Sequence, residues 1–175
     1  MTVFRPAEVA DADRIAALHA DSWQQFYRGA YADSFLDGDV VANRREVWSA
    51  RLASPAGSET VVAEQDDQLA GFVHVIFDAD PKWGSLVDNL HVRHDRRGSG
   101  LGRRLLALAA QAVGSRPLYL WVLQQNVAAQ GFYRGCGGVS VDTAPVSPPG
   151  GDPTRLNGSP LMLRMVWPAA DQAIR

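Results

Sequence analysis

Lysine is almost missing from this chain: of 17 basic residues only Lys82 is one, and the others are arginines. With 19 acidic residues the formal net charge is −2, which excludes the broad basic footprint of a nucleic-acid binder. Cysteine is nearly missing too. Cys136 alone can form neither an intrachain disulfide nor a cysteine-rich metal site, and it reads as a small apolar filler near a helix end. No apolar run approaches the ~18 residues that cross a bilayer, and no charged-then-apolar leader follows Met1. Repeats and linker tracts are also lacking. These absences predict a cytoplasmic protein that uses no membrane, no nucleic acid and no metal.

What is present suits one domain, residues 1–175, with 46% hydrophobic and 21% charged residues and enough length to bury a core unaided. The arginines are unevenly placed. Arg93, Arg96, Arg97, Arg103 and Arg104, with His94, crowd around Gly98, Gly100 and Gly102. An apolar strand ending Leu90-His91-Val92 leads into this turn, and an amphipathic helix through Val113 leads out. Glycines let a backbone approach an anion with no Cβ in the way, and the first amides of the helix point at the same place. The turn therefore reads as a cradle for a small polyanion.

Periodicity supplies the rest. Val3–Arg5 reads as a short strand, and Asp11 or Asp13 as the cap of a helix carrying Ile15, Leu18 and Trp23, with Phe26 on its core stripe. A second helix spans about Val40 to Leu52. Strands follow at 59–64 and 69–77, joined as a hairpin, and at 85–92. The run Leu118–Leu123 is apolar throughout, as an interior strand is. Asn126 can cap a short helix to about Gly135, Val139–Val141 reads as a further strand, and Thr143 to Gly158 reads as a loop. Leu161–Trp167 is a last strand. The pattern predicts a mixed α/β fold with helices on both faces of the sheet.

The glycine turn lacks the Lys-Ser/Thr of a nucleotide P-loop, and its third glycine comes one position early for a Rossmann turn. It spells Arg97-x-x-Gly100-x-Gly102. Together with Asn89-Leu90-His91-Val92 before it and Asn126-x-x-Ala129-x-x-Phe132-Tyr133 after it, this resembles the GNAT superfamily of N-acetyltransferases. The resemblance implies a splayed, largely antiparallel sheet of about 6–7 strands that holds acetyl-CoA between two parallel strands. It further implies that the backbone of Leu90 and Val92 pairs with the pantetheine arm and that Arg97, Gly98, Ser99, Gly100, Leu101, Gly102 and Arg103 wrap the pyrophosphate. Asn126 would touch the pantetheine, or simply cap its helix. A homodimer is compatible with the resemblance.

Acetyl transfer to an amine needs a neutral nucleophile, a stabilised oxyanion and a protonated thiol. An alkyl amine of pKa ~10 is neutral in only about one molecule per thousand at pH 7. By resemblance, Tyr133 is the acid for the leaving thiolate and Val92 N–H the donor to the oxyanion. The glutamate expected on a flanking strand is missing: Trp121 and Leu86 stand at the corresponding places. Asp88 is the nearest substitute base, with His74, His91 or a water chain as alternatives. The helix of Tyr133 also lacks the aromatic residue that usually follows its terminal glycine, and Gly131, Gly135, Gly137 and Gly138 are expected to leave Tyr133 mobile before the cofactor binds. Tyr27, Tyr31 and Trp121 are the candidates for the acceptor pocket, with Trp121 as an apolar wall. The acceptor expected is a small amine or a peptide N-terminus. The stretch from Trp23 through Asp37 resembles uncharacterised bacterial members. A non-catalytic acyl-CoA-binding or sensor module would keep the same turn, and a nucleotide-binding enzyme is a further alternative.

Overall fold

In the computed structural model, which describes residues 1–174, seven strands form one sheet in the order β1-β2-β3-β4-β5-β7-β6. The strands are β1 (Thr2–Pro6), β2 (Ser58–Gln65), β3 (Gln68–Asp80), β4 (Gly84–Val92), β5 (Leu118–Leu123), β6 (Val139–Pro145) and β7 (Leu161–Trp167). The helices are α1 (Ala12–Phe26), α2 (Asp33–Leu36), α3 (Val40–Ala53), α4 (Leu101–Val113), α5 (Val127–Gly135) and α6 (Ala170–Ala173). All neighbouring strands are antiparallel except β4 and β5.

Side-chain alternation along the strands sorts the helices onto two faces. On β3, Phe72 and His74 meet Trp48 of α3, while Val73 and Val75 join the cluster built on Leu105 and Leu106 of α4. Each face thus buries its own apolar stripe. Two local expectations differ from the structure. β6 runs on to Pro145, paired to Leu161, so the loop begins later than expected; an edge strand tolerates a proline that donates no ladder bond. Asp11 stands at the N-cap position of α1, but its carboxylate accepts from Arg5, Arg14 and the Glu8 amide instead of capping.

The sheet opens at β4. Parallel pairing with β5 is confined to Ser85 with Leu118 and Leu86 with Tyr119. Opposite β3 the register slips between Val87 and Asn89, which leaves Asp88 as an extra residue. Such a bulge bends a strand and re-aims its side chains. Its effect is visible at once: Asp88 and Asn89, though adjacent, both bind Arg51 of α3, at 2.6 and 2.7 Å. Val87 and Leu90, three apart, both pack on the α4 side.

Candidate active site

The opening between β4 and β5 is a cleft of about 460 Å³. Its walls come from Leu90, His91 and Val92 of β4, Trp121 to Leu123 of β5, the glycine turn, the end of α1 and one side of α5. The Arg93 N–H bonds the Ala70 carbonyl at 2.9 Å, so by antiparallel alternation His91 and Arg93 turn their backbone groups to β3. Leu90 and Val92 turn theirs the other way, into the cleft, where β5 has already parted company.

At one end of the cleft lies the turn. Gly98 and Gly100 have φ of 76° and 81°, the left-handed region that glycine enters without strain. None of the amides from Gly98 through Arg103 has a backbone acceptor among the described residues. That row of unpaired N–H groups at the start of α4 forms an anion nest. These residues fit the pyrophosphate of an acyl-CoA, and the free edge of Leu90 and Val92 fits an amide-bearing arm.

The basic side chains have distinct posts. The Arg97 guanidinium lies 3.7 Å from the centroid of the Phe26 ring. Burial pushes its pKa down from the usual arginine value. Arg103 donates to the Gly135 carbonyl at 2.8 Å and so ties the start of α4 to the end of α5. Arg96 lines the cleft with a buried Nε that makes no hydrogen bond among the described residues and lies 3.8 Å from Asp95 Oδ2. Ser99 and Leu101 shape the turn without lining the cleft: the Ser99 hydroxyl donates to the Arg96 carbonyl, and Leu101 is buried in the core.

Tyr133 lines the cleft from α5, and burial pushes its phenol above the ordinary tyrosine value. The ring meets Trp167 edge-on at 6.2 Å. Trp167 donates its indole N–H to the Cys136 carbonyl at 2.9 Å, and the Gly138 N–H bonds the Tyr133 carbonyl at 2.9 Å. A Cβ on Gly138 would stand 2.7 Å from the Trp167 ring. Gly138 thus permits the close approach of Trp167 of β7 to the end of α5. Asn126 Oδ1 caps α5 by accepting from the Ala129 amide at 3.1 Å, while the residue also borders the cleft.

The remaining candidates separate. Asp88 is held by Arg51 and is not among the cleft-lining residues. His74 is buried against Thr60 Oγ1 at 2.8 Å, outside the cleft, and burial together with the Arg51 charge pushes it down to about 4. His91 does line the cleft, its Nδ1 2.8 Å from Ser22 Oγ. Burial, then the charges of Arg97 and Arg44, push it down to about 3, so it is neutral at physiological pH. Tyr27 lines the cleft, and Trp121 does so with Arg164 4.3 Å from its ring centroid. Tyr31 is buried behind them against Trp23 and Tyr27. Phe26, expected in the core, instead lines the cleft under Arg97; it is the last residue of α1, where the helical stripe no longer dictates burial. Ser22, Arg96 and Phe132 also line the cleft; Arg96 stands among the arginines of the turn and Phe132 within the motif that ends at Tyr133, while nothing in the sequence marks out Ser22.

Comparison with known proteins agrees with this geometry. Residues 15–137 match the acetyltransferase (GNAT) family. A probable N-acetyltransferase of Mycobacterium tuberculosis is 28% identical over 131 residues, 74% of this chain and 75% of its own length. An uncharacterized N-acetyltransferase of Bacillus subtilis is 25% identical over 134 residues, 72% and 74% of the two lengths. The fold is similar to that of the PaiA N-acetyltransferase from Thermoplasma acidophilum in complex with coenzyme A. The TM-score is 0.72 at 18% identity, covering 95% of this chain and 99% of that one. The chain belongs to the GNAT acetyltransferase family and is an acetyl-CoA-dependent acyltransferase. No helix among the described residues is long and apolar enough to cross a membrane.

Proposed function

We propose that this chain transfers the acetyl group of acetyl-CoA to a primary amine by direct attack within a ternary complex. The observation that carries this reading is the pairing of a row of unbonded amides, Gly98 to Arg103, with the unpaired cleft-facing backbone of Leu90 and Val92. The first holds the pyrophosphate. The second aligns the pantetheine arm as an added strand. The thioester is thereby drawn along β4 toward the β4–β5 fork, where a cleft-facing backbone N–H of β4 is the donor for the oxyanion.

Tyr133 is the acid. Its phenol keeps its proton across the physiological range because burial disfavours the phenolate. The leaving thiolate, with a pKa of about 8.5 in water, is desolvated in the same cleft, which raises its demand for that proton. For the amine, neither Trp121 nor neutral His91 is a strong base. Deprotonation proceeds through water, or through Asp88 once Arg51 yields it. Tyr27 and Trp121 form the acceptor's apolar wall.

The test is thiol release from acetyl-CoA across a panel of primary amines, with acetyl-CoA binding measured in parallel. Acceptor-dependent release is expected. Tight binding with no release for any amine would overturn the reading in favour of a sensor.

A further inference from the structure

Ser22 of α1 and His91 of β4 are both buried and both line the cleft. Ser22 Oγ lies 2.8 Å from His91 Nδ1, and neither side chain makes another hydrogen bond among the described residues. A hydroxyl and a neutral imidazole can share one bond in two directions. If Nδ1–H donates to Oγ, the Ser22 hydroxyl proton is left with no protein acceptor. If Ser22 donates to Nδ1, that proton is placed, and the imidazole carries its own proton on Nε2. His19 shows the same arrangement beside it: Trp48 N–H donates to its Nδ1 at 2.9 Å, which puts the His19 proton on Nε2.

The Nε2 of His91 differs from that of His19 in one respect. The His19 atom is sealed in the core without a partner, whereas His91 Nε2 is also unbonded but not sealed, and the surface that His91 reaches is the cleft. The ring is held in place by His19 at 4.6 Å and Phe72 at 5.4 Å between centroids. Burial keeps it neutral. In sequence it stands between Leu90 and Val92, whose backbone groups face the cleft. No carboxylate is among the cleft-lining residues, so no acid draws this donor aside. Its partner comes with a ligand.

We propose that His91 is a catalytic residue that donates Nε2–H to the thioester carbonyl oxygen, with Ser22 as the positioning residue that fixes its tautomer. As the amine nitrogen bonds to the thioester carbon, the carbonyl π pair moves onto oxygen, which the imidazole and the β4 backbone N–H hold together. The pair returns as the C–S bond breaks and the thiolate leaves with its electrons. The imidazole keeps its proton throughout, and a neutral imidazole can polarise a carbonyl in this way. The amine is not its partner, because a donor there would tie up the attacking lone pair. This inference rests on the acetyltransferase reading above and adds a side-chain donor to it.

Two measurements need no acceptor. Nitrogen NMR of histidine-labelled protein should find the His91 proton on Nε2, and a proton on Nδ1 overturns the proposal. Infrared difference spectra of bound, carbonyl-labelled acetyl-CoA should show a lower thioester C=O stretch in the unaltered protein than in His91→Phe. An identical stretch in the two overturns it while leaving acetyl transfer intact. With an accepted amine, His91→Phe should lower kcat by about 10²-fold, the scale of one oxyanion donor, while the Kd for acetyl-CoA moves by less than about threefold. His91→Gln, which keeps an N–H donor, should recover part of that loss. Ser22→Ala should leave the His91 tautomers mixed and lower kcat by a smaller factor. Unchanged kcat in folded His91→Phe overturns the proposal as well. Failure of the unaltered protein to bind acetyl-CoA overturns acetyl transfer and this inference together.

Discussion

Arg97 places its guanidinium 3.7 Å over the ring of Phe26, and this contact joins the glycine turn to the end of α1. It holds a charged side chain over the cleft with no acid drawn into it. A partly desolvated cation–π contact contributes about 1–2 kcal/mol, so Phe26→Ala should weaken acetyl-CoA binding by roughly 5- to 30-fold. Isothermal titration with acetyl-CoA checks this. An unchanged Kd would mean that Arg97 keeps its place without the ring.

Gly100 precedes α4 with φ of 81°, and a Cβ there would meet nothing within 4 Å. Any effect of substitution is thus backbone strain rather than collision. Gly100→Ala should lower unfolding free energy by about 1–2 kcal/mol, and Gly100→Asn by less, because asparagine enters the left-handed region more readily. Urea denaturation gives the order. Alanine and asparagine costing the same would remove left-handed strain as the reason for this glycine.

The turn was legible because its glycines, arginines and following helix are adjacent in sequence, where local chemistry shows directly. The strand fork was legible only through the resemblance, since nothing in Leu86 to Val92 announces that β5 diverges after Leu86. The bulge at Asp88 was hidden for the same reason: register is a property of two strands, and one strand's sequence does not reveal it. Trp167 illustrates a longer-range case. It packs on Gly138 and donates to the Cys136 carbonyl, contacts between positions about thirty residues apart that only the fold brings together. Arg44 reads in sequence as one of many surface arginines on an amphipathic helix; its burial follows from Trp23 and Asn43 meeting over it.

Tyr133→Phe removes the proton but keeps the ring that packs on Trp167. If the phenol protonates the leaving thiolate, kcat should fall by about 10²–10³, within the range for a positioned general acid. The Kd for acetyl-CoA should stay within about twofold, since only one hydroxyl is lost. Single-turnover thiol release, alongside a direct binding measurement, separates the two. Unchanged turnover with intact affinity would remove Tyr133 as the acid.

Three buried histidines set the acid limit of the fold. His74 and His91 titrate near 4 and near 3, and His19 is held well below its ordinary value, in each case chiefly by burial. His19 accepts from the Trp48 indole at 2.9 Å and leaves a buried Nε2 without a partner, so protonating it in place gains no new bond. In the unfolded chain each imidazole takes up a proton near pH 6.5. Below that pH the unfolded state binds more protons than the folded one, and stability must fall as pH drops. The loss is about 1.4 kcal/mol per pH unit for each histidine until its folded pKa is reached, and above about pH 7 their contribution is complete. Asp11 acts in the same direction at lower pH. Burial raises its carboxyl, but the bonds from Arg5, the Glu8 amide and Arg14 outweigh that and hold it well below the carboxylate range. Its contribution is therefore full above about pH 4 and is lost on further acidification. Urea midpoints at pH 7.5, 6.5, 5.5 and 4.5 should fall slightly between the first two, where the unfolded imidazoles become half protonated, and then steeply, with the onset set by imidazole. His91→Gln should shallow that slope by one proton. A decline that begins only near pH 4 would show that these imidazoles find their protons inside the fold as easily as outside it.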